Sequence, residues 1–151
     1  MELELASVKK ILDEAIVLVF LPELADGYNF SESEIKETKA IGRYIEAEIA
    51  NPAINRSIVI SYLSSDGKRA EVLMVHIHNG CNGTFNVREY LQHTGVEFNH
   101  TIFNINEYKG SLSNRIKSTL EANIVAIKSN MSEVISGEYW EDVPFDWGDY
   151  K

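Results

Sequence analysis

Apolar residues recur every three or four positions at the start of the chain, at Leu5, Val8, Ile11, Leu12, Ala15, Ile16 and Val19. Side chains at that spacing share one face of a helix, and a proline disfavours helical backbone in the residue before it. The pattern therefore predicts an amphipathic helix over residues 3–20, ended before Pro22. A strand within Ile16–Leu21 is the rival reading of the same run. After the turn-like segment Ala25–Asn29, the sequence Ser31-Glu-Ser-Glu34 has the form of a capping box, in which the serine and glutamate side chains satisfy unpaired backbone donors. A second helix is predicted to follow, with Ile35, Ile41, Ile45 and Ile49 on one stripe and Asn51-Pro52 closing it.

The middle of the chain changes period. Residues 56–63 and 69–78 are rich in Ile, Val and Tyr and flank Ser64-Ser-Asp-Gly-Lys68, whose Asp-Gly pair suits the positive backbone angles of a tight hairpin. Ile58, Ile60 and Tyr62 fall on one face of the first strand, and Leu73, Val75 and Ile77 on one face of the second. Asn86 is placed to cap a short helix running to Leu91 and stopping at Gly95. Alternation over residues 96–105, with Val96, Phe98, His100 and Ile102 on one side, predicts a third strand. Ile116, Leu120, Ile124, Ile127, Met131, Val134 and Ile135 then repeat at helical spacing, predicting a helix of about twenty residues from Ser113 that Gly137 terminates. The expectation is an α+β chain: two N-terminal helices, a β-hairpin with a third antiparallel strand, a long C-terminal helix and an extended tail.

Composition adds limits. A chain of 151 residues, 44% apolar and 25% charged, suits one folded domain spanning residues 1–151, with 138–151 as an extended terminal segment. No apolar run approaches the roughly 18 to 20 residues of a membrane span, so no membrane association is expected. The N-terminus carries acid where a secretion signal carries base, and Cys81 is the single cysteine; both point to a cytoplasmic protein. The net charge of −9 argues against nucleic acid as a partner, since phosphates demand a basic surface, and favours a basic protein. The charge is uneven: residues 1–50 carry a net −6, residues 51–137 a net +1 and residues 138–151 a net −4.

Candidate chemistry is sparse. His76-Ile-His78 followed by Cys81 offers two imidazoles from alternate strand positions plus a thiol, but no fourth metal ligand accompanies them. Packing or hydrogen bonding at a strand end is the simpler role for these three residues, and no metal or other cofactor is expected. The common hydrolase, nucleotide and metalloprotease motifs are missing from the sequence, so an enzyme is not the leading expectation. A small enzyme or ligand-binding domain, with a pocket between the hairpin and the long helix and using His76, His78 or Cys81, is the second reading. An adaptor or structural subunit is the third.

The last fourteen residues, Glu138 to Lys151, are the departure from this background. They hold both tryptophans, five aromatics in all, and five carboxylates against one lysine. Large aromatics bury large areas, so Trp140 is expected to fold back onto the core. Glu141, Asp142, Asp146, Trp147, Asp149 and Tyr150 are expected to face a partner, the acids steering it and the aromatics anchoring it. In size, charge and this aromatic-acidic strip from Glu138 to Tyr150, the chain resembles bacterial immunity proteins, which neutralise a cognate toxin. The resemblance implies a stoichiometric inhibitor that covers a basic site, such as that of a nuclease domain, with acidic and aromatic residues.

Overall fold

The computed structural model describes residues 4–65, 70–80 and 83–143. It is α+β, built on a five-stranded antiparallel sheet in which neighbours in sequence are neighbours in space, β1-β2-β3-β4-β5. The strands are β1 (Glu34–Thr38), β2 (Gly42–Asn51), β3 (Arg56–Ser65), β4 (Ala70–His78) and β5 (Thr84–Asn86). The helices are α1 (Leu5–Ala15), α2 (Val87–His93), α3 (Leu112–Asn130) and α4 (Ser132–Ile135).

The expected hairpin is β3 and β4. Its register sets Ile58 against Ile77, Ile60 against Val75 and Tyr62 against Leu73. These six, with Ile45, Ala47 and Ile49 of β2, are buried on one face of the sheet and share a core with Leu12 of α1 and Ile116, Leu120 and Ile127 of α3. The opposite face carries Glu48, Val72 and Met74 in the open. This is the one-sided burial that period-two alternation produces in an antiparallel sheet.

The first helix forms as expected from Leu5, and its end differs from a plain α-helix: Ile16–Phe20 is a π-helical turn, followed by a 3-10 turn at Leu21–Glu23 with Pro22 in its first positions. Ile16 and Phe20, four apart, are fully buried, while Val17 and Leu18 between them are exposed.

The second N-terminal helix is overturned, because residues 34–51 form the β1–β2 hairpin. The isoleucine spacing that fits a helical stripe fits a strand as well: Ile45, Ala47 and Ile49 alternate, and all three are fully buried against β3. Gly42, which costs a helix interior about 1 kcal/mol, takes a φ of +84° at the hairpin turn, where Thr38 Oγ1 accepts from the Ile41 N–H at 3.1 Å. Tertiary pairing here outweighs the local capping signal of Ser31 and Glu34.

The third strand expected over 96–105 is also overturned. The segment forms 3-10 turns at His100–Phe103 and Ile105–Glu107, and the sheet instead gains β1, β2 and β5. Asn99 accepts from the Thr101 N–H at 3.1 Å and Asn104 from the Asn106 N–H at 3.0 Å, local bonds that compete with a strand ladder.

Asn86 caps α2 as expected, its side chain accepting from the Glu89 N–H at 2.7 Å, and Ser111 caps α3. The long helix does not run unbroken to Gly137; it stops at Asn130, Met131 leaves helical geometry, and α4 follows. Gly137 ends the segment with φ +84°, and a Cβ there would lie 2.9 Å from Ile54 Cβ, so both backbone angle and space require glycine. Among the described residues, no helix is long and apolar enough to cross a membrane.

Candidate functional site

Arg56 opens β3 just after Asn55 turns the chain through left-handed backbone, and it is only 7% exposed. Its guanidinium donates to three neutral oxygens: Nε to Val134 O at 2.9 Å, Nη1 to Asn79 Oδ1 at 2.5 Å and Nη2 to Tyr139 O at 3.1 Å. Its Cζ also stands 5.1 Å from the centre of the Trp140 ring, a cation over an aromatic face. Beside it, the Tyr28 hydroxyl donates to Ile135 O at 2.5 Å. Carbonyls at the end of a helix lack the usual helical donors, and here two side chains from the sheet side of the molecule reach them, Val134 O accepting also from the Gly137 N–H at 3.2 Å. Burial pushes the Tyr28 hydroxyl pKa up to about 12, against a downward pull from Arg56.

This pin fixes the start of the aromatic-acidic strip. The Trp140 indole stacks on Phe85 of β5, with centroids 4.7 Å apart and planes 21° from parallel. A Cβ added to Gly83 would stand 3.1 Å from the indole, so glycine there makes room for it. Trp140 is thus packed against the core, as expected from its size. Its Nε1 donates to Asp142 Oδ1 at 3.1 Å. Glu141 accepts from the Tyr139 hydroxyl at 2.5 Å and stands 2.8 Å from His93 Nε2. The result is a ledge with Tyr139 42% exposed, Glu133, Glu138 and Asp142 exposed, and Glu141 half-buried. Of the six residues expected to face a partner, Glu141 and Asp142 lie on this ledge; Asp146, Trp147, Asp149 and Tyr150 lie outside the described residues.

His76 and His78 project from the outer face of β4, across from Val59 and Ser57. Cys81 lies outside the described residues, and among those described no three His, Cys, Asp or Glu side chains gather as a metal site. Burial lowers the His76 pKa; Glu89 opposes that shift and His78 adds to it. A neutral imidazole held in the fold has a stability consequence. Above the unfolded value near 6.5 neither state takes a proton there, and as pH falls below it the unfolded chain binds the proton first. Stability is therefore expected to drop between pH 7 and pH 5, and His76→Gln to flatten that part of the curve. Urea midpoints at several pH values measure both, and a variant curve as steep as the parent's would remove His76 as the cause.

A cavity of about 340 Å³ opens at the edge of β4, roofed by the 3-10 turns carrying His100, Asn104 and Asn106 and reaching Asn123 of α3. It lies between the hairpin and the long helix, where the ligand-binding reading put a pocket, but neither His76 nor His78 lines it. The alternation that suggested a strand concealed these residues. The signal in the sequence was the asparagine spacing, at 99, 104 and 106, which favours side-chain-capped turns. No protein-family model, curated protein or solved structure matches the chain.

Proposed function

We propose that the chain is a stoichiometric protein-binding inhibitor of a basic partner, acting as immunity proteins act on a cognate toxin domain. The observation that carries this reading is the pinned ledge. Arg56 and Trp140 hold the strip's first residues against the core, while Tyr139, Glu138 and Asp142 remain on the surface. A surface ordered before binding loses less conformational entropy when the partner arrives, and exposed tyrosine beside carboxylates suits a cationic interface. The net −4 of the last fourteen residues supplies steering that salt screens.

Titration calorimetry against the product of the neighbouring gene tests the proposal. Binding should be saturable at one to one, with an association rate that falls as ionic strength rises. The combined variant Trp147→Ala, Asp146→Ala and Asp149→Ala is expected to weaken binding by about a hundredfold, about 2.8 kcal/mol, with the melting temperature nearly unchanged. A large loss of melting temperature with unchanged affinity would make the strip structural, and a partner that never binds the parent protein would end the proposal.

A further inference from the structure

The edge of β4 presents an unused pair of main-chain groups inside the cavity. Alternate residues of a strand aim N–H and C=O to the same side, and two anchors fix which residues of β4 face away from β3. The Asn79 N–H, just past the strand, donates to Gly83 O at 2.9 Å. Glu71 faces the same side, where Asn106 Nδ2 donates to its carbonyl at 2.8 Å and Asn106 Oδ1 accepts from its N–H at 3.4 Å. The β3–β4 register runs without a bulge from Ala70 to His78, so Leu73 must aim its N–H and C=O to that side too. The β5 strand covers only His76 to His78, and Asn106 closes only Glu71. Among the described residues nothing donates to or accepts from the main chain of Leu73.

A second group points the same way. Asn123 is 96% buried in α3, being 4% exposed, and lines the same cavity. Its Nδ2 donates to Thr119 O at 2.9 Å, whereas its Oδ1 accepts from no described residue. That oxygen is not sealed into the protein, so water or a ligand in the cavity can reach it.

We infer that this cavity is a binding site for a small molecule carrying a primary carboxamide and a carboxylate, of the size of an amino-acid amide. The molecule itself displays the complementary chemistry two residues away, where the carboxamide of Asn106 satisfies the same N–H and C=O pair on Glu71. A ligand carboxamide on Leu73 accepts from its N–H, gives one N–H to its C=O and leaves a second N–H for Asn123 Oδ1. A through-running peptide strand does not suit the site, because Asn106 blocks one end of the edge and β5 the other. The charge of the lining selects an anionic ligand. Arg88 and His100 line the cavity, and the one carboxylate among its described lining residues, on Glu71, is already held by Arg115 Nη1 at 2.8 Å and the Tyr62 hydroxyl at 2.7 Å. At 340 Å³ the space stands at the small end of ligand pockets. This site is separate from the terminal ledge and does not depend on the inhibitor reading.

The test is an amide-resolved NMR titration of the full chain with L-glutamine, L-asparagine and, as the control lacking the amide donor, L-glutamate. For a ligand this small a Kd on the order of 1 mM is expected, with saturable shifts at the Leu73 amide and the Asn123 side chain. Arg88→Ala, a substitution at an exposed residue, should weaken glutamine by about tenfold and leave neutral propionamide unchanged, and Asn123→Ala should weaken both. The site is overturned if neither carboxamide moves Leu73, if glutamate moves it as strongly as glutamine, or if the Leu73 shift follows protein concentration alone.

Discussion

Replacing Arg56 by methionine is expected to remove about 4 kcal/mol of stability, read as a lower urea midpoint. Methionine keeps much of the aliphatic volume and deletes the five-donor head. The parent guanidinium satisfies Val134 O, Asn79 Oδ1 and Tyr139 O from a residue 7% exposed. Hydrogen bonds to a charged group contribute about 1.5–3 kcal/mol each, but the three share one head and are not additive. The bond to Val134 O is the fully buried one, so its loss leaves that carbonyl with the Gly137 N–H at 3.2 Å and no access to water, while Tyr139 O and Asn79 Oδ1 can recover water in part. Arg56→Lys should cost about half as much, since one ammonium cannot span three acceptors with fixed fork geometry. Trp140 is the reporter: in a Trp147→Phe background, its emission should shift to the red in Arg56→Met as the cation and the Tyr139 anchor are lost together. Unchanged stability and emission would mean that the strip is held by the Phe85 stack alone.

How far the sequence spoke depends on which force decided each element. The β3–β4 hairpin was legible because the two alternating apolar faces and the intervening Asp-Gly agree, and Ile58, Ile60, Tyr62, Leu73, Val75 and Ile77 are all core residues. The α2 cap at Asn86 was legible because capping is local chemistry between a side chain and the N–H three residues on. The β1–β2 hairpin was not, because isoleucines four apart satisfy a helical stripe, and Ala47, the residue that breaks the tie, is small enough to be ignored. Pairing with β3 decided it, and pairing is a property of distant sequence. At the strip, size alone foretold that Trp140 packs down, but its holder was hidden. Arg56 lies 84 positions earlier and reads as an ordinary strand-opening cation until the sheet brings it under the tail. The cavity was hidden for the converse reason, since its donor and acceptor belong to the main chain of Leu73, whose side chain advertises only the core.

Phe20→Ala is expected to cost about 4 kcal/mol, within the 3–5 kcal/mol usual for deleting a buried phenylalanine, and so to lower the melting temperature by about 8–16 °C in a chain of this length. Phe20 is fully buried at the end of the π-helical turn and faces the core with Ile16, four residues before it. The 3-10 turn at Leu21–Glu23 begins immediately after it, and α3 packs alongside, with Lys128 paired to Glu23 at 2.5 Å. The backbone on both sides is thus fixed, and collapse into the vacated volume is limited, which keeps the cost off the lower end of the range. Phe20→Leu, which refills most of that volume, should recover more than half of the loss. The neighbouring Leu18→Ala serves as the internal control, because Leu18 is 63% exposed and its truncation should change stability by no more than about 0.5 kcal/mol. Thermal unfolding of the three variants side by side separates the readings. Equal losses at Phe20 and Leu18 would mean that the turn does not sort its residues into core and surface, and that the run Ile16–Leu21 packs as the strand that its composition also allows.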